Sequence, residues 1–170
     1  LSSHSQTNYA RVSEKEFPDL LRALDIYGGE PGTRLAMKLL ALTFVRTSEL
    51  IQAKWVEIDF AAAQWRIPAE RMKMKTVHIV PLAGQTLELL RTLQKLSGKT
   101  PFLFPGQRRH DNELKPISNN TILKALERLG YKGKMTGHGF RGVASTILHE
   151  QGYPHEHIEL QLAHQERDAV

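Results

Sequence analysis

Residues 55–82 decide the fold class of this 170-residue chain, and they read WVEIDFAAAQWRIPAERMKMKTVHIVPL. Apolar and polar side chains alternate over 56–59, and short, largely apolar runs follow at 65–67 and 77–80. A proline closes each of the two later runs. Alternation with a period of two places successive side chains on opposite faces of a strand, and proline ends such runs. The stretch therefore predicts three short strands of one small antiparallel sheet.

Helix-like periodicity surrounds this predicted sheet on both sides. Residues 33–45 are so rich in Leu, Met and Phe that we expect a buried central helix. Ser13 and Glu16 have the spacing of a capping box at the start of another helix. The remaining predictions are helices over 13–27, from Thr47 or Ser48 to Lys54, 87–96, 118–129, 137–150 and one ending near Leu162, with a loop at 101–106. The predicted fold class is mainly α with a small antiparallel β-sheet (α+β).

Composition limits the class of protein and of chemistry. Hydrophobic residues make up 41% and charged residues 24% of the sequence, which is typical of one globular domain. Residues 1–12 are polar and show no periodicity, so we expect a linker there from an upstream domain, followed by one domain over 13–170. The absence of cysteine excludes disulfides, cysteine zinc sites and thiol nucleophiles. No apolar run approaches the ~18 residues of a membrane span, so no membrane partner is expected.

The net charge of +5 favours a polyanionic partner, because neutralising phosphates releases condensed counterions. The exposed-looking cations of two loops are candidates for contacts with a DNA backbone, and ordinary solvated loop charges are the competing interpretation. These candidates are Arg108, Arg109, Lys132 and Lys134.

Two motifs invite other functions and are set aside. Residues 137–142 match G-x-G-x-x-G, but no strand precedes them and no βαβ pattern exists to support dinucleotide binding. Four histidines fall between 149 and 164, yet they form no H-E-x-x-H motif and Pro154 would break a shared helix. We therefore predict neither a metal nor a cofactor.

Two pairs of residues carry more information. His138 and Arg141 lie one helical turn apart, which places a proton carrier beside a bidentate anion donor. Arg46 follows the buried helix and needs a partner there, and Glu49, three residues later, can provide it. Lys73 lies in the turn that leads into the third predicted strand.

In sequence order, these positions resemble the conserved boxes of tyrosine recombinases. The boxes are RTSEL at 46–50, Lys73 placed eight residues before Pro81, HGFR at 138–141 and LAH at 162–164. The resemblance covers residues 14–170 and is closest to the integrases of temperate phages and genomic islands. It implies the tyrosine recombinase catalytic-domain fold, which is shared by enzymes that break and rejoin DNA. The resemblance makes 13–170 a catalytic domain and 1–12 a linker from an upstream DNA-binding domain.

The resemblance also implies a reaction and a role for each residue. A tyrosine attacks a DNA phosphodiester, a 3′-phosphotyrosyl link forms, and no metal or cofactor takes part. Arg46 and Arg141 would hold the phosphate oxygens, with Glu49 supporting Arg46. Lys73 would protonate the leaving 5′-oxygen, with Lys75 as the alternative acid. His138 would assist proton transfer from the tyrosine, and His164 would donate to a phosphate oxygen.

One feature of the family pattern is not matched. Its nucleophilic tyrosine follows the last histidine box by about nine or ten residues, and no tyrosine follows His164 in this sequence. We therefore assign no nucleophile and expect this stretch alone, truncated before that tyrosine, to be inactive in cleavage.

Family analogy implies integration or excision of a mobile element in the bacterial cytoplasm, close to the nucleoid. The expected partners are double-stranded DNA, three further copies in a homo-tetramer on paired sites, and accessory DNA-bending or directionality proteins. Three alternatives stay open: a type IB topoisomerase, a DNA-binding regulator whose parent lacks the tyrosine, and an unrelated helical nucleic-acid binder.

Overall fold

The computed structural model describes residues 9–110 and 112–164, with the backbone alone at 108–110. Within these ranges the helices are α1 (Phe17–Asp25), α2 (Pro31–Thr43), α3 (Thr47–Ile51), α4 (Gly84–Ser97), α5 (Asn119–Arg128), α6 (Gly139–Glu150) and α7 (His155–Gln161). The strands are β1 (Ile58–Asp59), β2 (Gln64–Ile67), β3 (His78–Pro81), β4 (Pro105–His110) and β5 (Glu113–Pro116). The predicted class, mainly α with a small antiparallel sheet, is confirmed.

Helix α2 is the centre of the domain, as its dense apolar sequence predicts. It packs against α1, α3, α4 and α5, so apolar side chains on most of its circumference are buried. The helix ends at Thr43, and the next residue, Phe44, caps it with a left-handed backbone of φ 58°. That conformation turns the chain out of α2 and towards α3.

The three-stranded sheet has the predicted antiparallel order β1-β2-β3, with Trp65 paired to both Ile58 and Val80. The prediction of a first strand over 56–59 is wrong in part, because residues 55–57 form a 3₁₀ turn. Val56 is 90% exposed, whereas Glu57 is buried and accepts a hydrogen bond from Trp65 Nε1 at 3.0 Å. Alternation alone could not reveal that the polar residue faces inward.

A second antiparallel hairpin, β4-β5, was not predicted from the sequence. Its first strand includes residues 105–106 of the predicted loop, and the sequence 105–110 shows no alternation of apolar and polar side chains. Backbone pairing and a tether to the core support the hairpin instead. Ile117 N donates to Phe104 O at 2.9 Å.

Most helix ends lie close to the predicted positions, but α1 begins at Phe17 rather than at 13, and α3 ends at Ile51 rather than at Lys54, which forms a β-bridge with Phe102. The capping box is present, with Ser13 N donating to Glu16 Oε2 at 2.9 Å and Glu16 N donating to Ser13 Oγ at 3.3 Å. The linker predicted at 1–12 lies mostly outside the described residues. Its described part packs beside α6, because Thr136 Oγ1 donates to Ala10 O at 3.4 Å. No helix in the described ranges is both long enough and apolar enough to cross a bilayer.

Candidate active site

Arg141 is the most buried cation of the candidate site. It lies in the first turn of α6 and is 4% exposed. Its Nη1 donates to Phe44 O at 2.7 Å, and its Nη2 donates to Leu162 O at 2.6 Å. Burial, and next the charge of Arg46, lower the pKa of Arg141 to about 10, so the guanidinium stays protonated at neutral pH. No carboxylate among the described residues pairs with it directly, which leaves a buried positive charge available to an anion.

Arg46 lies beside this charge at the start of α3. Its Nη1 donates to Glu49 Oε1 at 2.9 Å, and its backbone N–H donates to Glu49 Oε2 at 3.0 Å. The Glu49 side chain is only 3% exposed, so this ion pair is little screened by solvent. Nη2 of Arg46 reaches Ala163 O at 3.3 Å. The structure thus brings Glu49 to Arg46 and fixes the direction of the guanidinium.

The backbone carbonyls of the segment after α7 hold both arginines. Leu162 O accepts from Arg141, and Ala163 O accepts from Arg46. His164 follows directly, and its Nδ1 lies 2.8 Å from Glu159 Oε2. A neutral imidazole carries a single N–H. If Nδ1 uses it to donate to the Glu159 carboxylate, Nε2 can donate to an anion only when the ring is protonated. His164 is therefore placed next to the two arginines by the segment that they bind.

His138 precedes α6, one turn from Arg141. Burial, followed by the positive charges of Arg141, Arg46 and His164, lowers the pKa of His138 below its ordinary value. A neutral imidazole can accept a proton, which is what a general base requires. The ring of Tyr9 lies against His138 with ring centroids 4.3 Å apart. This contact has no signal in the sequence, because Tyr9 belongs to a polar segment without periodicity.

Gly137 and Gly139 allow these segments to approach one another. A Cβ at Gly137 would collide with Thr47 Oγ1, next to Arg46. A Cβ at Gly139 would lie 2.8 Å from Ala10 O and 2.9 Å from Met135 Sδ. The glycines of the discarded dinucleotide motif therefore have a packing role at the start of α6.

Lys73 and Lys75 are not brought against the arginines. Both are exposed in the turn between a 3₁₀ turn at Ala69–Arg71 and β3, and Lys75 has a left-handed backbone with φ of 55°. No hydrogen bond or ion pair joins either lysine to the described residues of the candidate site. The choice between them stays a prediction.

Two groups of the site were missed by sequence reasoning. His78 is buried at the start of β3, and burial lowers its pKa, while the Glu49 carboxylate and the backbone of Gln161 oppose that shift. Arg71 and Glu57 form an ion pair with side chains 13% and 6% exposed. Polar residues that face inward from 3₁₀ turns and from the end of a short strand carry no periodic signal, so only the packed structure reveals them.

The histidines at the end of the chain do not form a metal centre. His149 Nε2 lies 3.1 Å from His155 Nδ1 on an exposed surface. Within the described ranges, no group of three or more His, Asp or Glu side chains is arranged to hold a metal ion.

The loop cations are described only in part. Lys132 and Lys134 are exposed between α5 and α6. The hydrogen bonds from Ser13, and to a lesser extent the charge of Lys134, lower the pKa of Glu16. The side chains of Arg108 and Arg109 lie outside the described residues.

Two neighbouring guanidiniums, two histidines and exposed lysines can together bind a phosphodiester and move protons at it. The fold belongs to the class of tyrosine recombinase catalytic domains. The structure of a lambda integrase dimer bound to a core site matches 98% of this chain and 59% of its own, with TM-score 0.70 and 19% identity. XerA recombinase matches 97% of this chain and 58% of its own, with TM-score 0.70 and 21% identity.

The chain belongs to the phage integrase family, whose sequence model matches residues 10–170. The integrase of Enterobacteria phage P4 is 43% identical over all of this chain and 42% of its own length. Prophage integrase IntA of Escherichia coli K12 is 36% identical over 96% of this chain and 39% of its own length. The chain thus spans about two fifths of the length of these relatives.

Proposed function

We propose that the full-length protein catalyses site-specific DNA recombination, integrating or excising a mobile element. The observation that carries the proposal is the pairing of two guanidiniums, one of which, Arg141, is buried with no carboxylate partner among the described residues. A buried unpaired charge is costly unless a ligand of opposite charge uses it. Planar guanidiniums match phosphate oxygens bidentately, so a DNA phosphodiester is the anion that best suits this site.

The proposed reaction is a metal-independent transesterification. A tyrosyl oxygen bonds to phosphorus while the bond from phosphorus to the 5′-oxygen breaks, which leaves a 3′-phosphotyrosyl link and a 5′-hydroxyl. No residue of this sequence is assigned as that tyrosine. The link keeps the phosphate activated, so a second DNA strand can reverse the step without a nucleotide cofactor.

Each site residue receives a role in this reaction. Arg46, oriented by Glu49, and Arg141 neutralise the charge that develops on the non-bridging oxygens, and donors of this kind supply roughly 2.7–4 kcal/mol each in other enzymes. His138 accepts the tyrosyl proton, and His164 donates to a phosphate oxygen. The remaining role, protonation of the 5′-oxygen, falls to Lys73, with Lys75 as the alternative.

The partners of the full-length protein are part of the proposal. Solved relatives include a lambda integrase dimer bound to a core site and a lambda integrase tetramer bound to a Holliday junction. We infer that this protein likewise binds double-stranded DNA and assembles as a tetramer on paired sites, acting in the bacterial cytoplasm. Lys132, Lys134, Arg108 and Arg109 are the proposed contacts to the DNA backbone. Accessory DNA-bending or directionality proteins complete the proposed assembly.

Covalent capture tests the proposal and identifies the target site in the same experiment. The full-length protein is incubated with sheared DNA of its source genome, denatured in detergent, and the DNA fragments bound to it are sequenced. The expected result is one enriched sequence linked through its 3′-phosphate, with a free 5′-hydroxyl on the other side. Absence of any detergent-resistant adduct would contradict the proposal.

A variant pair then tests the site itself. Arg46→Ala should lose the adduct while still binding the captured duplex, because phosphate contacts elsewhere supply most of the affinity. Arg22→Ala is the matched control, since Arg22 is an exposed arginine of α1 that pairs with Asp19. Equal adduct formation by Arg46→Ala and the wild type would overturn the assignment of Arg46.

A further inference from the structure

The turn that carries Lys73 is exposed, but both of its ends are fixed. Met72, directly before Lys73, is buried, and its carbonyl accepts a hydrogen bond from Lys75 N at 3.0 Å. On the other side, His78 is buried at the start of β3. The position of the lysine therefore depends on what holds the base of the turn.

Arg71 makes three hydrogen bonds at this base. Its Nε donates to Glu57 Oε1 at 2.9 Å and its Nη2 donates to Glu57 Oε2 at 2.5 Å. Its Nη1 donates to the backbone carbonyl of Glu49 at 2.9 Å. A bidentate pair between guanidinium and carboxylate fixes direction as well as distance. Because both side chains are largely buried, solvent screens this pair only weakly.

This network connects two parts of the candidate site, which are Glu49 and the turn that carries Lys73. The carboxylate of Glu49 orients Arg46, and the backbone of the same residue is bound by Arg71. Arg71 itself precedes Lys73 by two residues along the chain. The guanidinium of Arg71 thus connects α3, which begins beside Arg46, to the turn that carries Lys73, the candidate general acid.

We propose that Arg71 is a positioning residue, which fixes the Lys73 turn relative to Arg46 through its bonds to Glu57 and the Glu49 carbonyl. The inference rests on the proposed function, in which Lys73 protonates the leaving oxygen. Because Arg71 already donates from Nε, Nη1 and Nη2 to Glu57 and the Glu49 carbonyl, we assign it no contact with the phosphate and an effect that passes through Lys73. A lysine at position 71 would keep the charge but lose the three-donor fork.

The leaving group provides a readout that separates positioning from general structural support. In cleavage, the P–O5′ bond breaks and the 5′-oxygen takes a proton from the Lys73 ammonium. If sulfur replaces that oxygen, the P–S bond breaks and the thiolate leaves without a proton, because the pKa of a thiol lies far below that of an alcohol. A defect confined to proton donation therefore disappears with the sulfur substrate.

The experiment compares first-order cleavage of two duplexes by the full-length protein at saturating concentration. Both contain the captured target site, one with a normal phosphodiester and one with a 5′-bridging sulfur. Arg71→Lys should slow cleavage of the normal duplex on the order of 10²-fold, the range of general-acid contributions, and that of the sulfur duplex less than about fivefold. Arg91→Lys is the matched control, since Arg91 contacts Phe60 at the opposite end of β2, and this variant should cleave both duplexes at the wild-type rate.

A double variant tests whether Arg71 acts through Lys73. Arg71→Lys added to Lys73→Ala should cost less than about twofold beyond Lys73→Ala alone, because the group being positioned is already gone. Glu57→Gln, which keeps the side-chain shape, should reproduce the substrate-dependent defect of Arg71→Lys and serves if that variant does not fold.

Each remaining outcome decides between explanations. Equal slowing of both duplexes by Arg71→Lys or Glu57→Gln would overturn the inference and assign the network to general stability. Wild-type rates for both variants, or full additivity with Lys73→Ala, would overturn it as well. Failure of the wild-type protein to cleave either duplex would instead overturn the proposed function on which the inference rests.

Discussion

Replacing Arg141 by lysine separates the two tasks of the buried guanidinium. The side chain bridges Phe44 O at 2.7 Å and Leu162 O at 2.6 Å, two carbonyls from segments far apart in the sequence. A lysine keeps the positive charge, but its single ammonium lacks the planar fork that spans both carbonyls. The change therefore removes one bridge and the bidentate donor set while leaving the net charge unaltered.

The magnitudes follow from these contacts. A hydrogen bond that involves a charged group contributes about 1.5–3 kcal/mol, so losing one of the two should lower the free energy of unfolding of Arg141→Lys by about that amount. Losing bidentate donation to the phosphate should cost the cleavage step roughly 2.7–4 kcal/mol, which is about 10²–10³ in rate. The second effect is measured on folded protein and is independent of the first.

Two assays read these quantities. Urea unfolding of the full-length protein gives the stability, and the rate of covalent adduct formation at saturating DNA gives the chemical step. Arg22→Lys, an exposed pair partner of Asp19, should change neither quantity measurably. If Arg141→Lys forms the adduct within about threefold of the wild-type rate, the loss is far smaller than the missing donors should cause. That result would refute the catalytic assignment of Arg141, even if stability falls as expected.

Three further predictions concern protonation and packing. The pKa of His138, measured by NMR titration, should lie below about 6.5 because the ring is partly buried. It should rise when a DNA phosphate binds, since an anion favours the protonated ring. A fall of this pKa on binding would contradict the placement of His138 at the phosphate. Burial lowers the pKa of His78 in the folded protein, so the unfolded state binds the proton more readily and stability falls as pH drops below about 6.5. His78→Gln should therefore flatten the pH dependence of the unfolding free energy, and an unchanged slope would count against this reasoning. Gly139→Ala should lower the free energy of unfolding by about 1–3 kcal/mol, because the added methyl group meets the backbone oxygen of Ala10. Gly142→Ala is the control: its methyl group meets the movable side chain of Arg11, so the free energy of unfolding should change by less than about 1 kcal/mol. Equal losses of stability in thermal unfolding would refute this difference.

The sequence predicted well where the partners are local. The Arg46–Glu49 ion pair, the Ser13–Glu16 capping box and the neighbourhood of His138 and Arg141 all join residues three apart. The 3.6-residue period of the helix brings such residues together whatever the rest of the chain does. The central helix was likewise predictable, because only a helix surrounded by others can bury apolar side chains on most of its circumference.

Inward-facing polar residues escaped prediction for a related reason. Glu57 lies in an alternating run that predicted a strand, and His78 lies in the largely apolar run over 77–80 that predicted another. The period of two says that alternate side chains share a face, but it does not say which face the core will cover. Glu57 can be buried because Trp65 and Arg71 satisfy its carboxylate, and neither bond has a periodic signature.

The sequence by itself determined the fold class, the family resemblance and the local pairs of the candidate site. Tertiary structure alone decided how Arg141 reaches Phe44 O across 97 residues and how Arg46 reaches Ala163 O across 117. It also placed Tyr9 on His138 and joined Arg71 to Glu57. Such contacts depend on how segments far apart in the sequence pack against one another, which the side-chain periodicity of any one segment does not encode.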